Sequence, residues 1–354
     1  MEKVDFKDKQ LFIGLDVHKK SWSVSIFSAE THFKTFSQPS SPRALKKYLD
    51  SHFPNASIKC AYEASKFGFW TQRELSSYGY ECLVVNPADI PSTHKENVEK
   101  TDPVDSRKIG RALRAGQLTG IHIPKLETEG LRQLFRYRKK LWADLVRAKN
   151  RIKDRVGASG IPLPARFDNA QWTHAFIKWL RELELPSISA RTTLDLLLEQ
   201  YDMLKAHLLK TGIAVRKTLR QKGYKELGKL LRGIPGIGPL TSVQLIVEIE
   251  DINRFPSFKH FNSFVGLKPM THSSGEKERN GFMTHRRHNA LRSSIVECSW
   301  TAIQQGPALL ACYEEFKKRM TGKRAIVKIA RKLLARIYHV WKTGEPYQMG
   351  LVAT

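Results

Sequence analysis

The chain has 354 residues, 41% of them hydrophobic, which is enough for a buried core in two or three domains and excludes a disordered composition. Lys and Arg number 60 against 34 Asp and Glu, so the formal charge is +26, far beyond what solubility needs, and it points to a polyanionic partner such as nucleic acid. No apolar run has transmembrane length, the N-terminus lacks a signal-peptide pattern, and the four cysteines form no C-x-x-C pair; a membrane protein, a zinc site and a disulfide framework are therefore not expected, and a reducing, cytoplasmic setting is.

The N-terminal third alternates strands and helices. "LFIGLDVHKK" and "SWSVSIFS" predict the two strands of a hairpin, rich in β-branched and aromatic residues. "PRALKKYLDSHF" has helical spacing, "SIKCAYEAS" reads as a strand, "WTQRELSSYGY" as a helix, and "ECLVVNP" as a strand ended by Pro87. This order predicts a mixed sheet with helices on its faces.

The middle is helical. A long basic stretch runs from about Glu127 to Val156, and after the loop "GASGIPLPARFDN" a second runs through "ARTTLDLLLEQYDMLKAHLLKTGIAVRKTLRQK". Leu194, Leu197, Leu198, Tyr201, Leu204, Leu208 and Leu209 recur at helical spacing. Two readings stay open: an antiparallel pair or coiled coil that mediates oligomerisation, or two core helices of a larger domain.

In the C-terminal third, "GIPGIGPLTS" reads as a helix-hairpin-helix turn. Gly236 and Gly238 would let the backbone approach a phosphate without reading sequence, unless this is an ordinary tight turn. The segment "FVGLKPMTHSSGEKERNGFMTHRRHNALR" reads as a polar, basic loop with Ser273 and Ser274 beside Gly275. The end reads as one basic helix. From Lys317 to Lys342 it holds ten Lys or Arg and no acid, with Ile326, Ile329, Leu333, Leu334 and Ile337 as its apolar stripe. Its outer face, including Lys323 and Arg324, either contacts nucleic acid or is simply solvated.

Four carboxylates stand out against the basic background. Asp16 follows the apolar Leu11, Phe12, Ile13 and Leu15, where a carboxylate is costly unless paired or metal-bound. Glu63 ends a later strand. Asp102 and Asp105 sit in "KTDPVDSRKIG"; there Asp102 before Pro103 can be an N-cap and Asp105 a first-turn acid, which is a structural reading. If all four converge at one end of the sheet, they form an oxygen-rich site for Mg²⁺ (or Mn²⁺), and two such cations about 4 Å apart can activate a nucleophile and a leaving oxygen at a phosphodiester. Cations between the acids and a phosphate would also explain acids on a surface that meets a polyanion.

The ordered set Asp, Glu, Asp-x-x-Asp resembles the RNase H-like fold of RuvC Holliday-junction resolvases. With "IGLDVHK", "AYEAS", "VNPADI", "KTDPVDSRKI", "IPGIGPLTS", "FVGLKP", "SSG", "ALR" and "RKLLARIYHVWKTGEPY", nearly the whole chain resembles the DEDD-type insertion-sequence transposases, the bridge-RNA-guided recombinases. That resemblance implies an α/β RNase H-like (RuvC-like) domain over 1–125, helical coiled-coil oligomerisation helices over 126–228, and a mainly α transposase domain over 229–354 with a serine nucleophile. It assigns catalysis to Asp16, Glu63, Asp102, Asp105 and Ser274, and the metal to the four acids. It implies a 5′-phosphoserine link to DNA, donor and target double-stranded DNA and a structured non-coding RNA as partners, a homo-oligomer (dimer or tetramer) whose subunits share the site, and a bacterial or archaeal nucleoid-associated setting. Candidate nucleic-acid contacts are Gly236, Gly238, Arg279, Arg292, Lys323 and Arg324. One departure is that His285 and Arg287 stand where the family commonly has a Lys-x-Gly pair. Alternatives are a Mg²⁺-dependent, structure-selective endonuclease that uses water, and a non-enzymatic nucleic-acid-binding scaffold.

Overall fold

The computed structural model describes residues 6–93, 101–167, 171–274, 277–284 and 287–350, with backbone alone over 269–282. The chain forms two compact units, Met1–Ile123 and Pro124–Thr354.

The first unit is built on five strands: β1 (Gln10–Val17), β2 (Ser21–Phe27), β3 (His32–Pro39), β4 (Ser57–Glu63) and β5 (Glu81–Val85). Their order is β3-β2-β1-β4-β5; β1 to β3 pair antiparallel, and β4 and β5 continue from β1 in parallel. Strand alternation sorts the side chains. Leu11, Ile13 and Leu15 of β1, Trp22, Val24 and Ile26 of β2, and Cys60 and Tyr62 of β4 share a core with Leu45 and Leu49 of α1 (Pro42–His52) and Leu75 of α2 (Trp70–Ser77). The opposite face, represented by Ala61 and Val85, packs on Ile109 and Leu113 of α3 (Asp102–Arg114). The mixed sheet is as predicted and is compatible with an RNase H-like domain. Strand β3 carried no sequence signal: it is an edge strand with most of its residues exposed or half-exposed, so alternation is weak.

The second unit is mainly helical, and two long helices run through it, α4 (Leu126–Ala158) and α6 (Ile188–Lys217), joined through α5 (His174–Glu182). Phe135 of α4 and Val215 of α6 belong to the main core of the unit. Further along, Leu141, Leu145, Ile152 and Val156 meet Leu194, Leu198, Tyr201 and Leu204 in a second core. The start of one helix thus lies with the end of the other, an antiparallel pair. Phe176 and Leu180 of α5, together with Phe167, close that second core.

The main core is completed by α7 (Lys225–Arg232), α8 (Pro239–Ile249), α9 (Phe258–Val265), α10 (Asn289–Gln305), α11 (Pro307–Lys317) and α12 (Gly322–Thr343). The basic C-terminal stretch is two helices rather than one, since α11 ends at Lys317 and Thr321 is the N-cap residue of α12. The expected stripe Ile326, Ile329, Leu333, Leu334 and Ile337 is buried in the main core. The segment read as a polar loop contains an antiparallel hairpin, β6 (Pro269–Ser274) and β7 (Lys277–Met283). Among the described residues, no helix is long and apolar enough to cross a membrane.

Candidate metal centre and serine hairpin

Helix α3 lies unusually close to the sheet because two glycines face each other. A Cβ on Gly14 would stand 2.0 Å from the Ser106 carbonyl oxygen and 2.3 Å from the Gly110 nitrogen, and a Cβ on Gly110 would stand 2.5 Å from the Phe27 ring. The Ser106 hydroxyl fills the remaining space, 2.9 Å from the hydroxyls of both Ser23 and Ser25. This contact fixes the helix along β1, so its N-terminal turn reaches the end of the strand where Asp16 lies.

At that end Asp16 follows Leu15, which is paired with Tyr62, and Glu63 follows Tyr62. Gly14 and Ala61 face α3, so alternation puts Asp16 and Glu63 on that side too. The structure brings Asp16, His18 and Asp102 together: one ligand atom from each lies within 4.8 Å of the others. His18 Nε2 is 3.0 Å from Asp16 Oδ2 and 3.8 Å from Asp102 Oδ1. Glu63 and Asp105 do not join that group. Asp105 is nearly buried and accepts a hydrogen bond from Lys108 Nζ at 2.9 Å. Burial pushes the Asp16 carboxyl above its ordinary value, and the Asp102 and Asp105 charges push the same way, against the opposing effect of His18.

The helix-cap reading of Asp102 is corrected. Thr101 occupies the N-cap position, no side chain caps the helix, and Asp102 is already helical. Donors about 2.1 Å from an octahedral cation stand about 3 Å apart across an edge and about 4 Å apart across the centre, so the spacing of this group suits one divalent ion. His18 was not singled out in the sequence. The available signal was Asp-x-His, two metal-ligating residue types across a strand end.

In the second unit Ser274 ends β6, in register with Lys277, while Ser273 pairs with Glu278 and His272 with Arg279. His285 lies outside the described residues, and Arg287 is exposed beside Asn289. The base of the hairpin is tied in several ways. The Thr284 N–H donates to the Lys268 carbonyl, and the His288 N–H donates to the Phe264 carbonyl. Arg292 Nη1 lies 3.4 Å from the carbonyls of both Gly266 and Thr284.

His288 is itself held by a buried carboxylate. Its Nδ1 accepts from the Leu291 N–H, so Nε2 carries the proton donated to Glu248 Oε2 at 3.2 Å. Glu248, 2% exposed, also accepts from Arg136 Nε at 2.9 Å and Nη2 at 2.7 Å. Burial opposes ionisation there, but the hydrogen bonds and charges of His288 and Arg136 outweigh it and hold the carboxyl down to about 2.

In the hairpin turn, the Gly236 N–H donates to Gln305 Oε1 at 2.8 Å, and a Cβ there would stand 2.4 Å from the Cys298 carbonyl. Packing of the turn on α10 therefore accounts for this glycine. Gly238 is the N-cap residue of α8, with open space where a Cβ would be. Lys323 and Arg324 are exposed in the first turn of α12.

Known proteins resemble this chain in both of its units. The IS110-type DEDD family described as "Transposase" matches residues 13–156, and the "Transposase IS116/IS110/IS902 family" matches residues 228–314. The transposase for insertion sequence element IS1533 of Leptospira borgpetersenii is 24% identical, over 97% of this chain and 99% of that protein. The transposase for insertion sequence element IS1328 of Yersinia enterocolitica is 24% identical, over 83% of this chain and 84% of its own length. A pilin gene-inverting protein of Moraxella bovis is 35% identical, over 33% of this chain and 38% of that protein. Such proteins cut and rejoin DNA, which accords with the charge of +26 and with the acidic end of the sheet. With both family matches falling in order along one chain, this protein belongs to the IS110 family of insertion-sequence transposases.

Proposed function

We propose that the chain is a recombinase that cuts donor and target DNA through a phosphoserine on Ser274 and rejoins the strands by reversing that step. The observation that carries this reading is the approach of Asp102 to Asp16 at the end of an RNase H-like sheet, with Glu63 on the same face. Asp16, Glu63, Asp102 and Asp105 would hold divalent cations, Mg²⁺ or Mn²⁺. When bound, these supply Lewis acidity to the scissile phosphate.

The Ser274 hydroxyl oxygen attacks phosphorus, the bond to the 3′ oxygen breaks, the serine proton passes to solvent and the leaving oxygen gains one. A 5′-phosphoserine and a free 3′-hydroxyl result, so the bond energy is kept and no nucleotide triphosphate is needed. The hairpin base tied by Arg292, His288 and Glu248 supports a positioned serine, because Ser274 lies on the strand that this base anchors. The exposed Lys323 and Arg324, with Arg279 and Gly238, are assigned to the DNA backbone. The helices over 126–228 are assigned to assembly into a dimer or tetramer, and selection of sites by a structured RNA follows from the family resemblance alone.

The test is a nicked DNA substrate with Mg²⁺ that traps a strand on the protein. The expected result is a covalent adduct with the native chain and with Ser273→Ala, lost in Ser274→Ala and in Asp102→Ala. Free 5′-phosphate ends without an adduct would instead establish a nuclease that uses water, and neither product would establish a binding scaffold.

A further inference from the structure

The family reading supplies four carboxylates, yet the side chain that stands between two of them is a histidine. His18, the first residue past β1, turns its ring to Asp16, and the packing of α3 on Gly14 brings Asp102 to the same place. One atom, Nε2, faces both acids: it lies 3.0 Å from Asp16 Oδ2 and 3.8 Å from Asp102 Oδ1. The same nitrogen is thus within ion-pair reach of both carboxylates, which is where a ligand shared with them would stand. The 3.0 Å separation matches an edge of an octahedron around one cation, and 3.8 Å comes close to its diagonal of about 4 Å.

The donor type has a chemical consequence. Mg²⁺ favours oxygen ligands, keeps its waters and demands near-ideal geometry. Imidazole nitrogen favours transition metals, and Mn²⁺ accepts both nitrogen and carboxylate oxygen. His18 is half exposed, with 51% of its side chain accessible, so the ring can turn by the small amount needed to direct its lone pair at a cation.

We propose that His18 Nε2 is a direct ligand of a cation held between Asp16 and Asp102, giving a mixed nitrogen–oxygen site that takes Mn²⁺ in preference to Mg²⁺. The proposal rests on the metal reading of the carboxylates given above. For binding, the Nε2 proton moves to Nδ1 or leaves to solvent, and the freed lone pair forms the bond to the metal. No electron transfer is involved.

The experiment uses the full chain, Mn²⁺ alone as the probe, and electron paramagnetic resonance. Titration gives the affinity, and electron spin-echo modulation detects a ¹⁴N nucleus bonded directly to the ion. The expected result is a directly bound ¹⁴N signature in the native chain. His18→Gln should lose it while still binding Mn²⁺ more weakly, by at least about the 10- to 100-fold that outer-shell partners are worth. Mg²⁺ affinity, measured by competition, should change by less than about threefold. Circular dichroism identifies a variant that has not folded, and His18→Asn then serves as the second substitution. Manganese bound without ¹⁴N modulation in the native chain, or modulation that survives in His18→Gln, would overturn the role of His18 and leave the carboxylate site standing. Binding that is absent, or unaltered in Asp16→Asn and Asp102→Asn, would overturn both.

Discussion

Replacing Glu248 by Gln tests how much a single buried charge contributes to the second unit. The carboxylate is 2% exposed and receives two hydrogen bonds from Arg136 and one from His288. Its carboxyl is held at about 2 against an ordinary 4.5. A carboxyl depressed by that amount carries about 3 kcal/mol of stability. The sign follows from the depression: this stability is fully present above pH 4.5 and is lost as the pH falls toward 2. Gln keeps the volume and can still accept from His288, but it removes the charge that Arg136 faces. At pH 7 the variant should therefore unfold about 3 kcal/mol more easily, about 6–12 °C lower in Tm for a unit of this size. Urea unfolding followed by circular dichroism between pH 7 and pH 2.5 measures the difference directly. It should shrink steadily below pH 4.5. A variant as stable as the native chain at pH 7, or a difference equal at pH 7 and pH 3, would refute the reasoning.

Gly14→Ala should destabilise the first unit by at least about 3 kcal/mol, because the added methyl would lie 2.0 Å from a backbone oxygen that cannot move without displacing α3; Gly130→Ala, in α4 with open space where the methyl would go, should instead raise stability by about 0.5–1 kcal/mol, and thermal unfolding compares the two. Asp16→Asn should abolish Mn²⁺ binding, yet leave the unfolding midpoint at pH 7 unchanged or higher. The raised Asp16 carboxyl favours the fold when protonated and loses that contribution as the pH rises through its folded value, so the neutral amide relieves a cost. A fall of several degrees would show that the carboxylate supports the fold instead.

The parts of the site that were legible in the sequence are those that break a local rule. Asp16 was visible because a carboxylate in "FIGLDV" contradicts an otherwise apolar strand, and Asp102 because it precedes a proline in a basic stretch. His18 broke no rule: a polar residue just past a strand end is ordinary, and only the approach of α3 gives it a second neighbour. That approach depends on Gly14 and Gly110, which are 96 positions apart, and no local pattern links them. Glu248 was hidden for the opposite reason. It lies in "LIVEIED", where an acid among apolar residues looks like a helix end, and its partners come from Arg136 and His288 on remote elements. The fold was legible where burial enforced periodicity, as in the stripe of α12 and the leucines of α6. It was illegible in β3, which is largely exposed, and in β6–β7, whose polar residues do not alternate. Helix α5 was passed over although Phe176 and Leu180 have helical spacing, because it is short and follows a loop rich in glycine and proline.

The two long helices of the second unit have a consequence for how such proteins can be lengthened or shortened. Helix α4 spans 33 residues, about 50 Å, without a break, and serves the main core through Phe135 and the distal core through Leu141 to Val156. A residue inserted between those two regions would rotate every later side chain by about 100°, carrying the distal apolar seam out to solvent. Only paired changes of about seven residues, one in each helix at the same height, would keep both cores in phase. The distal end can therefore vary in length among relatives only in coarse, coupled steps. A chimaera that exchanges it must cut α4 and α6 opposite each other, between Phe135 and Leu141 on one helix and between Leu204 and Val215 on the other.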